Sequence, residues 1–244
     1  MQRRIKQFAI IAAGEGRRLS EEGVAQPKAL VCLNGEPLLS RLVRIFQACD
    51  AERIVIIVND LNPLAAQHVR HLMAQPGGEV IRLVVQTTPS SMHSFFALAE
   101  HLTDAPFCLT TVDTVFTEQD FKAYLDYFAQ STADGVMAVT DYIDDEKPLY
   151  VATTDDLSIT GFLDTPADCR YISGGIYGLT APALSTLRRC MAEGQSRMRN
   201  YQRGLITDGL RLKAFPFSKI LDVDHASDIE KAEAFLLSEK EVLS

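Results

Sequence analysis

Hydrophobic residues in the first 140 positions fall into two alternating kinds of segment. Short runs that are apolar throughout predict buried strands, because helices cover both faces of a strand inside a parallel sheet. Longer segments with apolar residues three and four positions apart predict amphipathic helices. This alternation predicts a mostly parallel sheet flanked by helices. The predicted strands are 7–12, 53–59, 80–86, 107–113 and 135–140, and the predicted helices are 37–46, 63–73, 91–101 and 118–129.

The pattern changes after residue 140. Residues 141–166 are short alternating segments broken by Asp, Gly and Pro, which predict β-hairpins in a small elaboration at the edge or the carboxyl end of the sheet. The segment 194–204 is basic and rich in amides, and because it has no apolar stripe it is predicted to be an exposed, mobile loop. The other predicted elements are a return strand from Gly174, a helix over 181–194, a strand over 211–217 and a final helix with Ser227 or Asp228 as its N-cap.

Composition narrows the class of protein. With 47% hydrophobic residues and no low-complexity tract, the 244 residues can bury the core of one compact domain. The net charge of −8 argues against a nucleic-acid-binding protein, and no apolar run approaches the roughly 20 residues that span a bilayer. The five cysteines are scattered without metal-binding spacing. The apolar run after the basic N-terminus is too short for a signal peptide, so the sequence predicts a cytoplasmic protein with reduced thiols.

Two glycines and two arginines follow the first predicted strand, in the stretch GEGRR from Gly14. A glycine loop in this position can turn backbone N–H groups toward phosphate oxygens, which predicts an anion site. Two common phosphate-binding designs do not fit. A dinucleotide-binding loop needs a third glycine where this chain has Leu19, and a P-loop needs GxxxxGK followed by Ser or Thr, which is absent.

The same loop fits a third design. The pattern AAGxGxRL followed by PK, with the tail PKALVCLNGEPLLSRLV, resembles the signature of the nucleotidyltransferase family that includes the sugar-1-phosphate nucleotidyltransferases. The resemblance implies a single α/β domain over 1–244, Rossmann-like, with a mostly parallel central sheet flanked by helices and a small β-rich acceptor-binding elaboration. Within it, 1–140 would bind nucleotide, 141–220 would bind the acceptor, and 221–244 would supply a metal loop and the C-terminal helix. The signature residues that would bind nucleotide are Ala12, Ala13, Gly14, Glu15 and Gly16, with Arg18 and Lys28 as catalytic residues.

Arg18 and Lys28 supply the positive charge that such a reaction needs. A triphosphate under attack requires charge neutralisation on the transferred group and on the departing pyrophosphate. The forked guanidinium of Arg18 suits the pyrophosphate, and the compact ammonium of Lys28 suits the phosphates on either side of the reacting bond. Arg17 stands where the family usually has a small residue, so it is predicted to face solvent or to add a phosphate contact.

The stretch QTTPSSMHSFFALA from Gln86 lies where the family reads the nucleotide base. The resemblance implies that Gln86 binds the base edge and that Ser91, with Ser90 and Ser94, adds contacts at the start of the next helix. Relatives commonly have a glycine where this chain has SSM, and serines at this position equally well cap the helix. The choice between a purine and a pyrimidine stays open.

Three aspartates are candidate ligands of Mg²⁺, a cation that binds one or two carboxylates together with phosphate oxygens and water. Asp113 ends the apolar strand FCLTTVD and resembles the family's metal-binding aspartate, with Val112 in place of the common glycine. The resemblance also makes Asp113 a candidate catalytic residue. The stretch ILDVDHASDIEKAEAFL resembles the family's late aspartate loop, in which either Asp222 or Asp224 would be the second ligand. Strand alternation would send both of these toward the same face.

The stretch GGIYGL resembles the segment that contacts the sugar or alcohol, and Gly174 and Gly175 would let the acceptor approach the backbone. A bulged core strand is the alternative interpretation. Upstream, ITGFLDTP has Asp164 and Thr165 where many sugar enzymes have Glu and Lys, so Asp164 is a candidate acceptor-binding residue and the cation of a standard sugar-1-phosphate site is missing. The residues that could replace its charge are Arg170, Arg197 and Arg199.

The resemblance implies a Mg²⁺-dependent transfer of a nucleoside monophosphate from an NTP to a sugar phosphate, with release of pyrophosphate. Positioning and the metal ion would do most of the work, so no covalent intermediate is required. The alternatives are a CTP-dependent cytidylyltransferase for a phosphorylated small alcohol such as phosphocholine, and a catalytically idle relative that only binds nucleotide. The expected partners are an NTP and a phosphorylated small molecule, with no nucleic acid and no membrane, while the oligomeric state stays open.

Overall fold

Strands and helices alternate along the chain as the hydrophobic pattern predicts. The computed structural model describes residues 3–144 and 146–242. The strands are β1 (Gln7–Ala12), β2 (Cys32–Leu33), β3 (Glu36–Pro37), β4 (Arg53–Val58), β5 (Ile81–Val85), β6 (Phe107–Thr111), β7 (Thr114–Val115), β8 (Gly135–Thr140), β9 (Tyr150–Thr153), β10 (Ile159–Leu163), β11 (Tyr171–Leu179), β12 (Leu212–Pro216) and β13 (Leu221–Asp222). The helices are α1 (Arg17–Glu21), α2 (Leu38–Ala48), α3 (Pro63–Met73), α4 (Ser91–Ala99), α5 (Glu118–Gln130), α6 (Pro182–Ala192), α7 (Met198–Thr207) and α8 (Ala226–Val242). None of these helices combines the length and the apolar character that crossing a membrane requires.

A mixed sheet of nine strands lies at the centre of the described residues. Its middle is parallel: β1 lies between β4 and β6, and β5 lies outside β4. β11 runs antiparallel to β6, β8 runs antiparallel to β11, and β12 lies parallel to β8. β9 and β10 form an antiparallel hairpin that joins the beginning of β11 at the edge of the sheet. The predicted fold class and the predicted edge hairpin are therefore both present.

Alternate residues of β1 build two hydrophobic cores, one on each face of the sheet. Phe8 and Ile10 belong to the core that packs under α2, α3, α5 and α8. Ala9 and Ile11 belong to the core that packs under α4, α6 and α7. Every residue of β1 is buried, and a strand covered on both faces has this continuous apolar sequence rather than an alternating one.

The prediction of an exposed loop over 194–204 was wrong. Most of this segment lies in α7, which buries Tyr201, Gln202 and Leu205. The Tyr201 ring meets the Phe95 ring edge-on, with 5.4 Å between centroids. Arginines alternate with the buried residues, and because long charged side chains pack their stems while their heads stay in water, the apolar face of the helix is hard to see in the sequence.

The final helix begins at Ala226, earlier than either predicted N-cap implies. Asp228 instead caps the helix from within its first turn. Its Oδ2 accepts the backbone N–H groups of Asp224 at 3.1 Å and His225 at 2.8 Å. Helix N-termini leave such donors without intrahelical partners, and a carboxylate three residues into the helix satisfies them. This cap also fixes the backbone that carries Asp224.

The carboxyl ends of β1, β4, β5 and β6 lie together at one end of the parallel strands, which is where open α/β sheets bind ligands. The glycine loop follows β1 at this end of the sheet. Asn59, directly after β4, donates from Nδ2 to the Ala13 carbonyl at 3.2 Å and ties the two strand ends together. The fold thus places the predicted phosphate loop and Asp113 at the same end of the sheet.

Candidate active site

Gly14 and Gly16 shape the loop after β1 in different ways. Gly16 has a left-handed backbone with a φ of +64°, and a Cβ atom there would lie 2.8 Å from the Lys28 Cβ. Glycine therefore lets Lys28 come this close at the point where α1 begins. A Cβ atom at Gly14 would have no other protein atom within 4 Å, so packing within the protein does not account for glycine at that position.

Lys28 joins two aspartates from distant parts of the chain. Its Nζ contacts Asp113 Oδ2 and lies 2.5 Å from Asp224 Oδ1. Asp113 follows β6 and Asp224 follows β13, and β13 pairs with β7 just beyond Asp113. The Val223 N–H donates to the Asp113 carbonyl at 3.1 Å, so backbone pairing places the two carboxylates side by side.

Burial and charge act in opposite directions on these groups. Desolvation lowers the pKa of Lys28, but the charges of Asp113 and Asp224 outweigh it and the pKa is raised. Desolvation raises the pKa of Asp113, but the charge of Lys28 and hydrogen bonds from Lys28 and Thr111 outweigh it and the pKa is lowered. Both groups are therefore charged at neutral pH. The Lys28 side chain is 12% exposed and that of Asp113 18%, so removing one partner would leave a largely buried charge uncompensated.

Arg18 extends this network, whereas Arg17 turns away from it. The Arg18 Nη1 lies 3.3 Å from Asp224 Oδ2. The Arg17 Nε donates to Glu15 Oε2 at 2.6 Å, and the Arg17 side chain is 76% exposed. Arg18 and Lys28 thus share one aspartate. Arg17 faces solvent, which was one of the two predicted alternatives, and it also borders a cavity beside Lys28 that is described next.

A first cavity, of about 470 Å³, opens beside Lys28. Its walls are the glycine loop, the end of β6 and the segment between β5 and α4. Six of the sixteen lining residues are Ser or Thr and two are glycines of the loop, so hydrogen-bond donors are available to a ligand that accepts them. The predicted nucleotide-binding and catalytic residues in its lining are Ala13, Gly14, Glu15, Gly16, Ser91, Lys28 and Asp113.

Two predicted nucleotide-binding residues lie outside this lining. Ala12 is buried at the end of β1 and borders a smaller neighbouring cavity that Gly14 and Lys28 also line. Gln86 directly follows β5, where its N–H donates to the Val58 carbonyl at 2.9 Å and its side chain is exposed. A role for Gln86 in binding a base stays a prediction.

The serines between β5 and α4 agree with both interpretations of this segment. Ser90 is the N-cap of α4, and its Oγ accepts the His93 N–H at 3.4 Å. Ser94 is buried, with its Oγ 2.6 Å from Thr88 Oγ1. At the same time Ser90, Ser91 and Ser94 all line the first cavity. Helix capping therefore does not exclude contact with a ligand.

A second cavity, of about 210 Å³, lies on the other side of Asp224. Arg18 and Asp224 line the second cavity, Lys28 and Asp113 line the first, and the contact between Lys28 and Asp224 separates the two. Asp222 also lies in the wall of the second cavity. The ionisable residues of this wall are Arg18, Asp144, Glu146, Asp222, Asp224, His225, Asp228 and Lys231.

A match over most of the chain decides the family. A sequence model of the MobA-like NTP transferase domain matches residues 8–195. The chain belongs to the MobA-like NTP transferase family. The resemblance of the glycine loop to a nucleotidyltransferase signature is thereby confirmed, and the protein is a nucleotidyltransferase. A search of curated proteins gave no match.

Solved structures share the fold of this MobA-like NTP transferase. The inositol-1-phosphate CTP transferase from T. maritima aligns with a TM-score of 0.80 at 18% identity, over 96% of this chain and 97% of that one. A Bacillus anthracis protein assigned as a glucose-1-phosphate thymidylyltransferase, in complex with a sucrose, aligns with a TM-score of 0.80 at 19% identity, over 94% of each chain. Such likeness confirms the predicted nucleotide-diphospho-sugar transferase type of fold.

Packing and backbone conformation favour glycine at the first two positions of the GGIYGL stretch, Gly174 and Gly175. A Cβ atom at Gly174 would displace the end of the Ile220 side chain and would lie 3.2 Å from the Ala138 carbonyl oxygen. Gly175 has a φ of +73°, and its Cβ atom would lie 3.0 Å from Thr114 Oγ1. The pairing of β11 with β8 is irregular between Ser173 and Tyr177, as the bulged-strand interpretation expects. Gly174 also lines the second cavity, so a contact of this glycine with an acceptor stays a prediction.

Asp164 lies outside the lining of both cavities and is held by arginines of α7. Its Oδ1 is 2.6 Å from Arg199 Nη1, and its Oδ2 is 2.8 Å from Arg203 Nη2. Arg170 pairs with Asp141 at 3.1 Å, and Arg197 is the exposed N-cap of α7. Binding of an acceptor by Asp164, or by the arginines proposed to replace the missing lysine, stays a prediction.

Several residues of the site were missed from the sequence. Thr87 and Thr88 line the first cavity, and the polar run QTTPSS directly after the apolar run of β5 is the signal that could have found them. Thr111 lines the same cavity and hydrogen-bonds Asp113. Glu22 contacts the loop that carries Asp224, and no sequence signal marks it, because the contact spans 203 positions.

Within 3–144 and 146–242, no cluster of three or more His, Cys, Asp or Glu side chains could hold a metal ion. Two carboxylates do converge, because Asp113 and Asp224 both contact the Lys28 ammonium. A metal that takes most of its ligands from the protein would not fit this pair. A metal that takes one or two carboxylates and completes its shell with phosphate oxygens and water would fit it.

Proposed function

We propose that this MobA-like NTP transferase transfers a nucleoside monophosphate from an NTP to a sugar phosphate and releases pyrophosphate, which yields an NDP-sugar. An oxygen of the acceptor phosphate forms a bond to the α-phosphorus. The bond between the α-phosphorus and the oxygen that bridges to the β-phosphorus breaks, and its electron pair leaves with the pyrophosphate. The NTP occupies the first cavity and the acceptor occupies the second.

The position of Lys28, Asp113 and Asp224 at the boundary of two cavities carries the proposal. A reaction between two ligands requires that both reach the same charged groups in a fixed orientation. Lys28 borders the first cavity and contacts Asp224, which borders the second. The glycine loop next to Lys28 offers backbone N–H groups that suit phosphate oxygens.

The carboxylates of Asp113 and Asp224 are the proposed ligands of Mg²⁺. Their convergence on one ammonium group supports this, since the pair already accommodates a positive charge between its oxygens. Oxygen ligands suit a hard cation, and two of them are enough when phosphates supply the rest. When bound, Mg²⁺ neutralises charge on the phosphate oxygens around the reacting bond.

Lys28 and Arg18 supply fixed positive charge from the chain itself. Gly16 lets Lys28 lie against the glycine loop, so the ammonium is held within reach of the transferred phosphate without further movement of the backbone. Preorganised charge of this kind stabilises the transition state more than mobile charge does. Arg18 lines only the second cavity, which puts it within reach of the acceptor phosphate, and its proposed contact with the pyrophosphate requires its side chain to turn from Asp224 toward the first cavity.

A second candidate acceptor is a phosphorylated amino alcohol such as phosphocholine, with CTP as donor. The charge of the second cavity favours it, because five carboxylates lie in a wall whose other ionisable residues are Arg18, His225 and Lys231. The same carboxylates can also accept hydrogen bonds from the hydroxyl groups of a sugar. The names of two structures with this fold include a CTP transferase for inositol 1-phosphate and a thymidylyltransferase for glucose 1-phosphate.

Pyrophosphate release tests the proposal. CTP, UTP, dTTP, GTP and ATP are each combined with Mg²⁺ and a panel of sugar 1-phosphates and phosphorylated alcohols, with Asp113→Ala as the inactive variant. Release that requires one NTP, one acceptor and Asp113 supports the transferase, and the productive acceptor decides between a sugar and an amino alcohol. Nucleotide binding without release across the panel would overturn the proposal in favour of an idle relative.

A further inference from the structure

Two segments almost the whole chain apart meet in the wall of the second cavity. The first runs through α1 and carries Arg18, and the second runs from β13 into α8 and carries Asp224. Arg18 contacts Asp224 at 3.3 Å. Glu22, at the end of α1, makes a second kind of contact between the same segments: its Oε1 lies 2.6 Å from His225 Nδ1, and its Oε2 accepts the Ala226 N–H at 2.7 Å.

The contact of Arg18 with Asp224 and the contacts of Glu22 are expected to respond differently when substrate binds. Under the proposed function, Arg18 turns to phosphate oxygens and Asp224 turns to a metal ion, so the contacts of Asp224 with Arg18 and Lys28 are lost or shared. Glu22 lines neither cavity, and its partners are a backbone N–H and a side chain next to Asp224. Its contacts can therefore persist while substrate is bound.

Glu22 also completes the cap of α8. Asp228 accepts the N–H groups of Asp224 and His225, which leaves the Ala226 N–H to Glu22. Each N–H at a helix start needs a partner from outside the helix ladder. Together the two carboxylates fix the backbone of three successive residues, of which Asp224 is the first.

We propose that Glu22 is a positioning residue that holds the Asp224 loop against α1 and so keeps the Asp224 carboxylate beside Lys28 and Asp113. The assignment of Asp224 to a metal ion rests on the proposed function. The contact of Glu22 with the Asp224 loop is independent of that function. Glu21, the neighbouring residue of the same type, is exposed and lines neither cavity, which makes it a matched control.

The test compares Glu22→Ala, Glu22→Gln and Glu21→Ala in two measurements. The first is amide hydrogen exchange over 222–230 in the protein without ligands. We expect exchange in this segment to rise by about tenfold in Glu22→Ala, the size of a lost helix cap, and to stay at the wild-type level in Glu21→Ala. Equal exchange in the two alanine variants would overturn the proposal.

The second measurement is the Mg²⁺ concentration that gives half-maximal pyrophosphate release. We expect it to rise about tenfold in Glu22→Ala with little change in the NTP concentration for half-maximal rate, because a displaced ligand weakens metal binding. Gln can still accept the Ala226 N–H, so Glu22→Gln should stay within about threefold of wild type.

A Glu22→Ala protein that unfolds at lower temperature but keeps the wild-type Mg²⁺ dependence would reduce Glu22 to a stabilising role and overturn the proposal. If the wild-type protein releases no pyrophosphate, the proposed function fails while hydrogen exchange still decides the role of Glu22.

Discussion

The first and second cavities meet at the contact between Lys28 and Asp224, but they are built from different groups. Four of the sixteen residues that line the first cavity are charged, and six carry a hydroxyl group, on segments that follow β5 or end β6. Eight of the sixteen residues that line the second cavity are ionisable, and most of these eight lie on the segments after β8 and β13. One wall is rich in Ser, Thr and Gly, and half of the residues in the other are acidic or basic.

This difference explains what each region can specify. Backbone N–H groups bind phosphate whatever side chains surround them, so the first cavity suits a part of the substrate that all family members share. Charged side chains on loops change with single substitutions, so the second cavity suits the part of the substrate that differs between enzymes. We therefore expect substitutions near the first cavity to affect the reaction itself and substitutions in the second to affect the choice of acceptor.

The largest expected effect is that of Lys28→Ala. Loss of a preorganised cation at a phosphoryl group lowers the rate by about 10²- to 10³-fold. Removal of Lys28 also leaves Asp113 and Asp224 as uncompensated carboxylates, so the rate of pyrophosphate release is measured together with thermal unfolding. Arg17→Ala is the control, since Arg17 pairs with exposed Glu15 and is expected to change the rate less than about threefold. A Lys28→Ala protein with more than a tenth of the wild-type rate would contradict the assignment.

Asp224→Asn and Asp222→Asn separate the two late aspartates. Asp224 contacts Lys28 and is expected to be the metal ligand, so its substitution should lower the rate by about 100-fold and raise the Mg²⁺ requirement. Asp222 lies in the wall of the second cavity, and its substitution should change the rate less than about tenfold and act mainly on the acceptor KM. The Mg²⁺ titration of both variants decides between them, and the reverse order of effects would make Asp222 the ligand.

Gly16→Ala and Gly14→Ala test the two halves of the glycine loop. Alanine at position 16 meets a φ of +64° and the Lys28 Cβ, so the free energy of unfolding should fall by about 1–3 kcal/mol. Alanine at position 14 has open space around its Cβ, so stability should change by less than about 0.5 kcal/mol. Gly14 lines the first cavity, so under the proposed function a methyl group there takes space from the NTP, and the NTP KM should rise about tenfold. Chemical denaturation and steady-state kinetics of the two variants measure both effects; wild-type kinetics in Gly14→Ala would show that this position is not reserved for the nucleotide.

The sequence predicted single segments better than contacts between distant segments, for a physical reason. Buried strands and a glycine loop leave local signals, namely apolar runs and residues that permit left-handed backbone, so β1, β6 and the loop could be located directly. The burial of Tyr201 depends on Phe95 in a distant helix, and arginines on both sides conceal it. The contacts of Glu22 with His225 and Ala226 exist only after the chain has folded.

The assignment of aspartates shows the same limit. Asp113 could be selected from the sequence because it ends a predicted strand, and the pair Asp222 and Asp224 because their segment resembles the family's late aspartate loop. The choice between the last two depends on which one meets Lys28, and strand alternation alone sends both to one side. The structure adds the contact of Asp224 with Lys28, which no local pattern contains.

The smallest expected effects come from single hydroxyl groups, and they give the sharpest test of the division between cavities. Ser91 lines the first cavity, and Ser173 lines the second with its Oγ donating to Gln202 Oε1 at 2.9 Å. Loss of one neutral hydrogen bond costs about 0.5–1.5 kcal/mol, which corresponds to a change of about twofold to tenfold in KM. We expect Ser91→Ala to raise the NTP KM and leave the acceptor KM unchanged, and Ser173→Ala to do the opposite. Steady-state kinetics with each substrate varied in turn measure both constants. If either variant shifted both constants equally, the two cavities would not bind separate substrates, because a hydroxyl group in one wall would then act on the whole site.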